Sequence, residues 1–253
     1  WIPDAYGGAG AGILGNAVIT EELSKIDMGI GLNVVAACFG CESIFQYGSE
    51  EQKKKWLPPV CAGEMVSAGA FTEPNAGTDV AGYKTRAVKQ GDRYVINGNK
   101  MFITNGTVCD FMVAQCITNP DEKKHNSFSL IIVPADTPGV TRNKIRGKMG
   151  IRSSDTAEIA FEDVKVPVTN LVGKEGKGFY ELMHFFDTTR VMVSAQGLGL
   201  SEACLEASVK YCKERTAFGA PLGSYQLTQK KLAEMAIMIE ALRGLVYQSA
   251  ALI

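Results

Sequence analysis

The chain has 253 residues, of which 46% are hydrophobic, so it can bury a substantial core and form one or two domains. Its 26 Lys plus Arg and 27 Asp plus Glu give a formal net charge of −1, which predicts no broad basic surface for a nucleic acid. The seven cysteines are scattered and odd in number, which favours reduced thiols, and two histidines give little support to a metal site.

Membrane insertion is not expected from the sequence. No uninterrupted apolar run approaches the roughly 20 residues that a membrane helix needs, and no signal peptide is visible. The chain begins at Trp1 without an initiator Met and stops at Ile253 inside a helical pattern. Both ends therefore look cut.

The first segment, residues 1–60, is predicted to be an incomplete helical domain. Apolar residues recur there at spacings of three and four, as in helices packed into a small bundle. Gly29 and Gly31 predict a break before a second helix over residues 32–47. A third, short helix has expected boundaries at the cap residue Ser49 and at Pro58–Pro59.

Two spacings in this segment match known motifs, but their contexts do not. The glycines of Gly10–Gly15 satisfy the dinucleotide fingerprint, yet no strand precedes them, so we interpret them as a turn that leads into a helix. Cys38 and Cys41 have the spacing of a redox dithiol, but the surrounding run is apolar and without proline. We expect both thiols to pack as small hydrophobic groups.

The middle segment, residues 61–174, is predicted to be a β-barrel domain. Short β-type runs alternate with turn residues, a texture that favours a barrel or sandwich over a parallel sheet. The expected strands cover 94–96, 111–117, 128–133 and 157–166, and the expected turns lie at Gly91-Asp92, Asn97-Gly98, Asn119-Pro120 and Pro138-Gly139.

The last segment, residues 175–253, is predicted to be an incomplete bundle of long helices. One helix is expected from Gly178 to about Arg215 and a second from Tyr225 onward. Apolar residues in the second recur at heptad-like intervals, which is typical of long antiparallel helices.

Four clusters of residues carry the chemical information. The first is the loop Phe71–Asp79, rich in small and hydroxyl residues whose N–H and O–H groups can bind carbonyls and phosphates. The second is Gly98–Gly106, which places an aromatic and a hydroxyl residue at a strand end. The third and fourth are Phe186–Arg190 within a helix and Glu214–Gly219 between the long helices.

In this order, on a helical, then β, then helical arrangement, the clusters resemble the acyl-CoA dehydrogenase family over essentially the whole chain. The resemblance implies an α+β fold with an N-terminal helical bundle, a middle β-barrel and a C-terminal long-helix bundle. It also implies FAD as cofactor, an acyl-CoA substrate, a homo-oligomer, expected to be a tetramer, and electron-transferring flavoprotein as electron acceptor.

The resemblance assigns roles residue by residue. Cofactor contacts are expected on one side from Phe71, Thr72, Gly77 and Thr78, on the other from Phe102, Ile103 and Thr104, and across a subunit boundary from Arg215, Phe218 and Gln226. Substrate contacts are expected from Thr78, Asp187 and Arg190, the last two at the CoA nucleotide. The family usually has Trp where Phe102 stands, and a phenyl ring can still stack on a flavin.

The catalytic base of the family is a glutamate, usually on a loop that follows the long helices. That position would lie beyond Ile253. In a minority of members the base precedes the arginine of the third cluster, and Thr189, which occupies this position, cannot serve. The sequence therefore names no catalytic residue within these 253 residues.

The acyl group is expected to be short, branched or cyclic and without a distal carboxylate. The second helix and the start of the long helix are expected to line the acyl pocket, with Val34, Val35, Cys38, Phe179 and Phe186 among the lining residues. Residues 29–47 contain no Lys, Arg or His that could neutralise a buried carboxylate. Three alternatives stay open: an acyl-CoA oxidase, a related flavin enzyme with a non-CoA substrate, and a non-catalytic scaffold. The expected location is the cytoplasm for a bacterial protein, which we favour, or the mitochondrial matrix for a eukaryotic one.

Overall fold

A computed structural model describes all 253 residues, Trp1–Ile253. Helices come first along the chain, then strands, then helices again, as the predicted fold class requires. The chain forms two compact units: Trp1–Gly10 with Val35–Asp187, and Ala11–Val34 with Thr188–Ile253. The domain boundaries after residues 60 and 174 stay a prediction.

Six α-helices are present. They are α1 (Gly12–Ile26), α2 (Met28–Ala36), α3 (Cys41–Tyr47), α4 (Glu50–Cys61), α5 (Gly178–Glu214) and α6 (Gln226–Leu252). The cap of α4 is the predicted one: Ser49 Oγ accepts from the Gln52 amide, and the Gln52 side chain accepts from the Ser49 amide. No strand precedes α1, so the fingerprint at Gly10–Gly15 lacks the βαβ context of a dinucleotide site.

Ten strands form two sheets. They are β1 (Ser67–Ala70), β2 (Arg86–Gln90), β3 (Arg93–Thr104), β4 (Phe111–Ile117), β5 (Phe128–Pro134), β6 (Val140–Lys144), β7 (Thr156–Pro167), β8 (Leu171–Val172), β9 (Thr216–Ala217) and β10 (Ala220–Pro221). The large sheet has the order β6-β7-β3-β2-β4-β5-β8, with β1 parallel to β4, and β9 and β10 form a small hairpin. All four predicted strands lie within β3, β4, β5 and β7.

The strands β4 and β5 of the large sheet are buried on both faces. On β4, Met112 and Ala114 face one apolar cluster, while Phe111 and Val113 face a second one that includes Trp56 of α4. This alternation follows from the two-residue period of a strand. Because apolar layers cover both faces of these two strands, this part of the sheet is a rigid support for the loops at its strand ends.

The second unit is helical. Within it, the buried carboxylate of Glu21 on α1 accepts from Tyr247 Oη at 2.6 Å and from Arg243 Nε at 3.3 Å, both on α6. Helix α6 is long and apolar enough to cross a membrane by length and composition. A single such helix is weak evidence, since core and interface helices of soluble proteins share these properties.

The predicted helix boundaries near Gly29 and over residues 32–47 are wrong. The break falls at Asp27, which has extended backbone and accepts from the Ile30 amide through Oδ1 at 2.9 Å, so Gly29 and Gly31 lie inside α2. The second helix is interrupted by Gly40, which has φ +96°. A Cβ there would lie 2.9 Å from Val113 Cγ2, a tertiary contact that no local pattern reveals.

Two further boundaries differ from the prediction. Helix α4 continues through Pro58 and Pro59 to Cys61, because the prolines stand in its last turn and interrupt few hydrogen bonds. The predicted turn at Asn97–Gly98 lies inside β3, where the pairing with β7 shifts register. Gly98 has φ +150°, and a Cβ there would lie 2.7 Å from Thr85 Cα.

Candidate active site

The loop Phe71–Asp79 follows directly from β1 and lies in the first unit. Phe71 is buried and Thr72 is half-buried, whereas Gly77 and Thr78 are exposed. The Phe71 ring packs against Phe185 with centroids 5.2 Å apart, so this residue can offer a ligand only its backbone. The outer part of the loop offers the Thr78 hydroxyl and exposed amide groups.

A buried ion pair lies beneath this loop. Lys100 Nζ of β3 is 3.0 Å from Glu73 Oε1, and the two side chains are 0% and 2% exposed. Lys100 also donates to the carbonyls of Phe71 at 3.0 Å and Gln115 at 2.8 Å, so its ammonium group has three acceptors. Such full pairing is what a buried charge requires.

The surrounding charges and hydrogen bonds keep the carboxylate of Glu73 ionised. Burial alone would raise the pKa of Glu73, but the charge of Lys100 and hydrogen bonds from Thr85 and Lys84 outweigh it and hold the pKa below its usual value. Burial lowers the pKa of Lys100, and the charge of Glu73 and its hydrogen bond act in the opposite direction.

Sequence reasoning missed Lys100 and Glu73 as site residues, although both lie within the quoted clusters. A signal was present in strand alternation. Tyr94 and Ile96 of β3 point into the core, so Lys100, at an even spacing from them, is placed on the same inward face. A lysine that is buried on the inner face of a strand needs a partner for its charge, and a carboxylate is the usual one.

The end of β3 carries a bulge that presents an aromatic ring. The pairing with β7 shifts register between Lys100 and Ile103, and Phe102 inside the shift has φ +60°. A left-handed conformation is unfavourable for an aromatic residue, and backbone strain of this kind is often found at functional sites. Phe102 is 66% exposed, whereas Ile103 is buried in the sheet and Thr104 is half-buried.

The structure brings the first two predicted clusters together. The Met101 amide donates to the Thr72 carbonyl at 2.8 Å, and Lys100 links the same two segments through its side chain. The exposed Phe102 ring, the half-buried Thr72 and Thr104, and the open loop at Gly77 and Thr78 thus belong to one region of the first unit. A Cβ at Gly77 would meet nothing within 4 Å, which leaves room for a ligand beside the backbone.

The third cluster lies on α5. Asp187 is exposed and closes the first unit, while Thr189 is buried and Arg190 is exposed, both in the second unit. Next to Arg190, a cavity of about 320 Å³ within the second unit is lined by Val191, Ser194 and residues of α6. Thr189 carries no carboxylate, so its side chain could not act as a general base.

The fourth cluster forms a hairpin in the second unit that the sequence did not predict. Its two turn residues, Phe218 and Gly219, have φ +51° and +79°, as a type I′ turn requires. The Tyr225 hydroxyl donates to the Ala217 carbonyl at 2.5 Å and braces it. Phe218 is fully exposed, and Arg215 and Gln226 are exposed at the two ends of the connection.

The residues of the first unit fit a flavin. A flat aromatic surface, hydroxyl donors and exposed backbone amides without a concentrated positive charge suit an isoalloxazine ring and a pyrophosphate. The strained backbone at Phe102 costs free energy, and stacking of a bound flavin ring on the Phe102 side chain can offset that cost.

Comparison with known proteins agrees with this arrangement. The chain matches the acyl-CoA dehydrogenase N-terminal domain over residues 1–64, the middle domain over 68–164 and the C-terminal domain over 176–253. A short-chain-specific acyl-CoA dehydrogenase of Megasphaera elsdenii is 42% identical over 99% of this chain and 66% of its own length.

Solved structures show the same fold. A chain from the structural study of the electron transferring flavoprotein of Acidaminococcus fermentans is 44% identical, with a TM-score of 0.96 over 99% of this chain and 66% of its own. A probable acyl-CoA dehydrogenase of Mycobacterium abscessus is 35% identical, with a TM-score of 0.90 over 99% of this chain and 68% of its own.

The chain therefore belongs to the acyl-CoA dehydrogenase family. Acyl-CoA dehydrogenases are FAD flavoproteins, so the predicted family, fold class and cofactor are confirmed. The chain spans about 66% of the length of the first curated relatives that it matches. The roles of individual residues stay predictions.

Proposed function

We propose that the protein containing this chain catalyses the FAD-dependent α,β-dehydrogenation of an acyl-CoA thioester. The observation that carries the proposal is the meeting of loop Phe71–Thr78 with the bulge at Phe102 on a rigid sheet, in a member of this family. When bound, FAD supplies the acceptor for the hydride that leaves the β-carbon, at N5 of its ring.

The chain's own residues hold and orient the reacting groups. Thr72, Gly77 and Thr78 bind through amides and hydroxyls on one side, and Phe102 and Thr104 provide a stacking surface and a hydroxyl donor on the other. Phe71 and Ile103, whose side chains are buried, contribute backbone groups. These donors would stabilise negative charge that develops on the thioester and the ring.

A second set of residues serves a neighbouring subunit. Phe218 is fully exposed at a strained turn, and Arg215 lies exposed before it. A guanidinium group can meet a pyrophosphate with two parallel hydrogen bonds. We assign Arg215, Phe218 and Gln226 to the FAD of another subunit, in a homotetramer.

The substrate contacts follow the same reasoning. Thr78 and Asp187 in the first unit and Arg190 in the second are assigned to the CoA portion. The absence of Lys, Arg and His from residues 29–47 favours an uncharged acyl tail, and the relative named as short-chain specific is in line with a small one. The base is a glutamate outside these 253 residues.

The electron acceptor is electron-transferring flavoprotein. The location proposed is the cytoplasm of a bacterium, or the mitochondrial matrix if the source is eukaryotic. Curated relatives include both bacterial and mitochondrial proteins.

The test is an anaerobic absorption spectrum of the full-length protein before and after acyl-CoA addition. We expect a flavin spectrum that bleaches with butyryl-CoA or a branched or cyclic acyl-CoA, and far less with glutaryl-CoA. A colourless protein that cannot be reconstituted with FAD would contradict the proposal and favour a scaffold. Faster reoxidation by air than by electron-transferring flavoprotein would indicate an oxidase.

A further inference from the structure

We propose that the buried Lys100–Glu73 ion pair is a positioning element. It holds the loop Phe71–Asp79, which we assign to the cofactor, against the bulge of β3. This inference rests on the proposed function and extends it to two residues that do not touch the cofactor. Glu73 belongs to the loop itself, and Lys100 immediately precedes the bulge residues 101–102. The pair is therefore buried between the two segments that we assign to the flavin.

The carboxylate of Glu73 closes a loop. Between the end of β1 and the start of β2 the chain has 3-10 helix only at Val80–Gly82 and no strand. Glu73 accepts from the Lys84 amide at 2.6 Å and from the Thr85 amide at 3.0 Å, so its two oxygens join the beginning of this segment to its end. Thr78 lies on the enclosed stretch, so its position depends on that closure.

The ammonium group of Lys100 then fixes the closed loop to the sheet. It contacts Phe71 and Glu73 at the start of the loop and the Gln115 carbonyl on β4. The adjacent Met101 amide adds the bond to Thr72. The loop, the bulge and β4 are therefore all attached to the buried ammonium group of Lys100. If that group is displaced, the distance between Thr78 and Phe102 changes.

Stability alone does not account for such a pair. Buried ion pairs gain little over well-packed apolar residues because both charges lose their hydration, and fixing a geometry is one use for which they are retained. An ammonium with three acceptors and a carboxylate with three donors leave little freedom in direction. That constraint suits a site in which two segments must meet a flat ring at a fixed spacing.

The experiment compares Lys100→Met, Glu73→Gln and the double variant in the full-length protein. We expect the FAD dissociation constant to rise roughly 10- to 100-fold, from the loss of charged hydrogen bonds, and the visible circular dichroism of the remaining bound flavin to change. In the flavin-free protein, amides of residues 75–83 should exchange hydrogen faster, while those of β4 and β5 keep their protection.

The matched control is Arg243→Met, which removes a cation paired with buried Glu21 between α1 and α6. It should lower the melting temperature and leave the flavin measurements unchanged. If Lys100→Met does not fold, the same measurements on Glu73→Gln test the positioning role. That variant is expected to fold, because the glutamine side-chain oxygen can still accept from the backbone amide of Lys84 or Thr85.

Two results separate the inference from the proposed function. Folded Glu73→Gln and double variants with wild-type FAD affinity, flavin dichroism and loop exchange would overturn the positioning role and leave the dehydrogenase proposal intact. A wild-type protein that binds no FAD would contradict the proposed function and the cofactor role of the pair with it. Hydrogen exchange of residues 75–83 would then still show whether the pair fixes the loop.

Discussion

The Met101 amide donates to the Thr72 carbonyl at 2.8 Å, and this bond joins the loop after β1 to the residue just before the strained Phe102. It explains how a bulge in one strand and a loop after another form a single surface. Because the φ of +60° at Phe102 is unfavourable for an aromatic residue, the bulge has a cost that can be measured.

We expect Phe102→Gly and Phe102→Ala to separate that cost from the function of the ring. Both remove the exposed ring and should weaken FAD binding, by roughly tenfold. Only glycine relieves the left-handed conformation, so the flavin-free Gly variant should be more stable than the Ala variant by about 1 kcal/mol in urea unfolding. Equal stability of the two variants would show that the bulge is unstrained in solution.

The hairpin at Phe218 allows a second comparison. Asparagine followed by glycine is the preferred pair for a type I′ turn, so Phe218→Asn should keep or slightly raise the melting temperature of the flavin-free protein. The same substitution should weaken FAD binding in the assembled oligomer, because the exposed ring is lost. Retention of full FAD affinity in that oligomer would remove Phe218 from the cofactor site.

Much of the architecture was predictable because local patterns agree with the tertiary structure. Strand β4 occupies the predicted residues 111–117, since a run of apolar residues between polar turns has one stable placement. The helix break at Gly40 was not predictable, because it depends on the approach of Val113 from a distant strand. Strand alternation could have placed Lys100 on the inner face of β3, but no local pattern identifies its partner Glu73, which is 27 residues away.

Gly40 gives a prediction about folding rather than function. Gly40→Ala should destabilise the protein by about 2 kcal/mol or more, since the new methyl group meets Val113 and the φ of +96° disfavours any side chain. Gly150→Ala is the control, because a Cβ there meets nothing within 4 Å and the backbone is not left-handed. Chemical denaturation of both variants measures the difference, and equal midpoints would contradict the tight approach seen at Gly40.

Two carboxyl groups, that of the buried Glu181 and that of the half-buried Glu42, predict how stability depends on pH. Burial raises the pKa of Glu181 to about 7 and that of Glu42 to about 8. Both exceed the value near 4.3 expected for an unfolded chain, so the folded state binds more protons and stability falls as the pH rises. The contribution of each group is present below the unfolded pKa and is lost as pH rises through the folded pKa, up to about 7 for Glu181 and about 8 for Glu42.

We therefore expect Glu181→Gln to flatten the decline of unfolding free energy between about pH 4.5 and 7, where the loss is on the order of 2 kcal/mol. The variant keeps an oxygen that can accept from the Lys174 amide, as Glu181 Oε1 does at 3.4 Å. Glu42→Gln is the matched variant, and its flattening should extend to about pH 8. Urea unfolding across this range measures both slopes, and a slope unchanged by Glu181→Gln would show that Glu181 ionises normally in the folded protein.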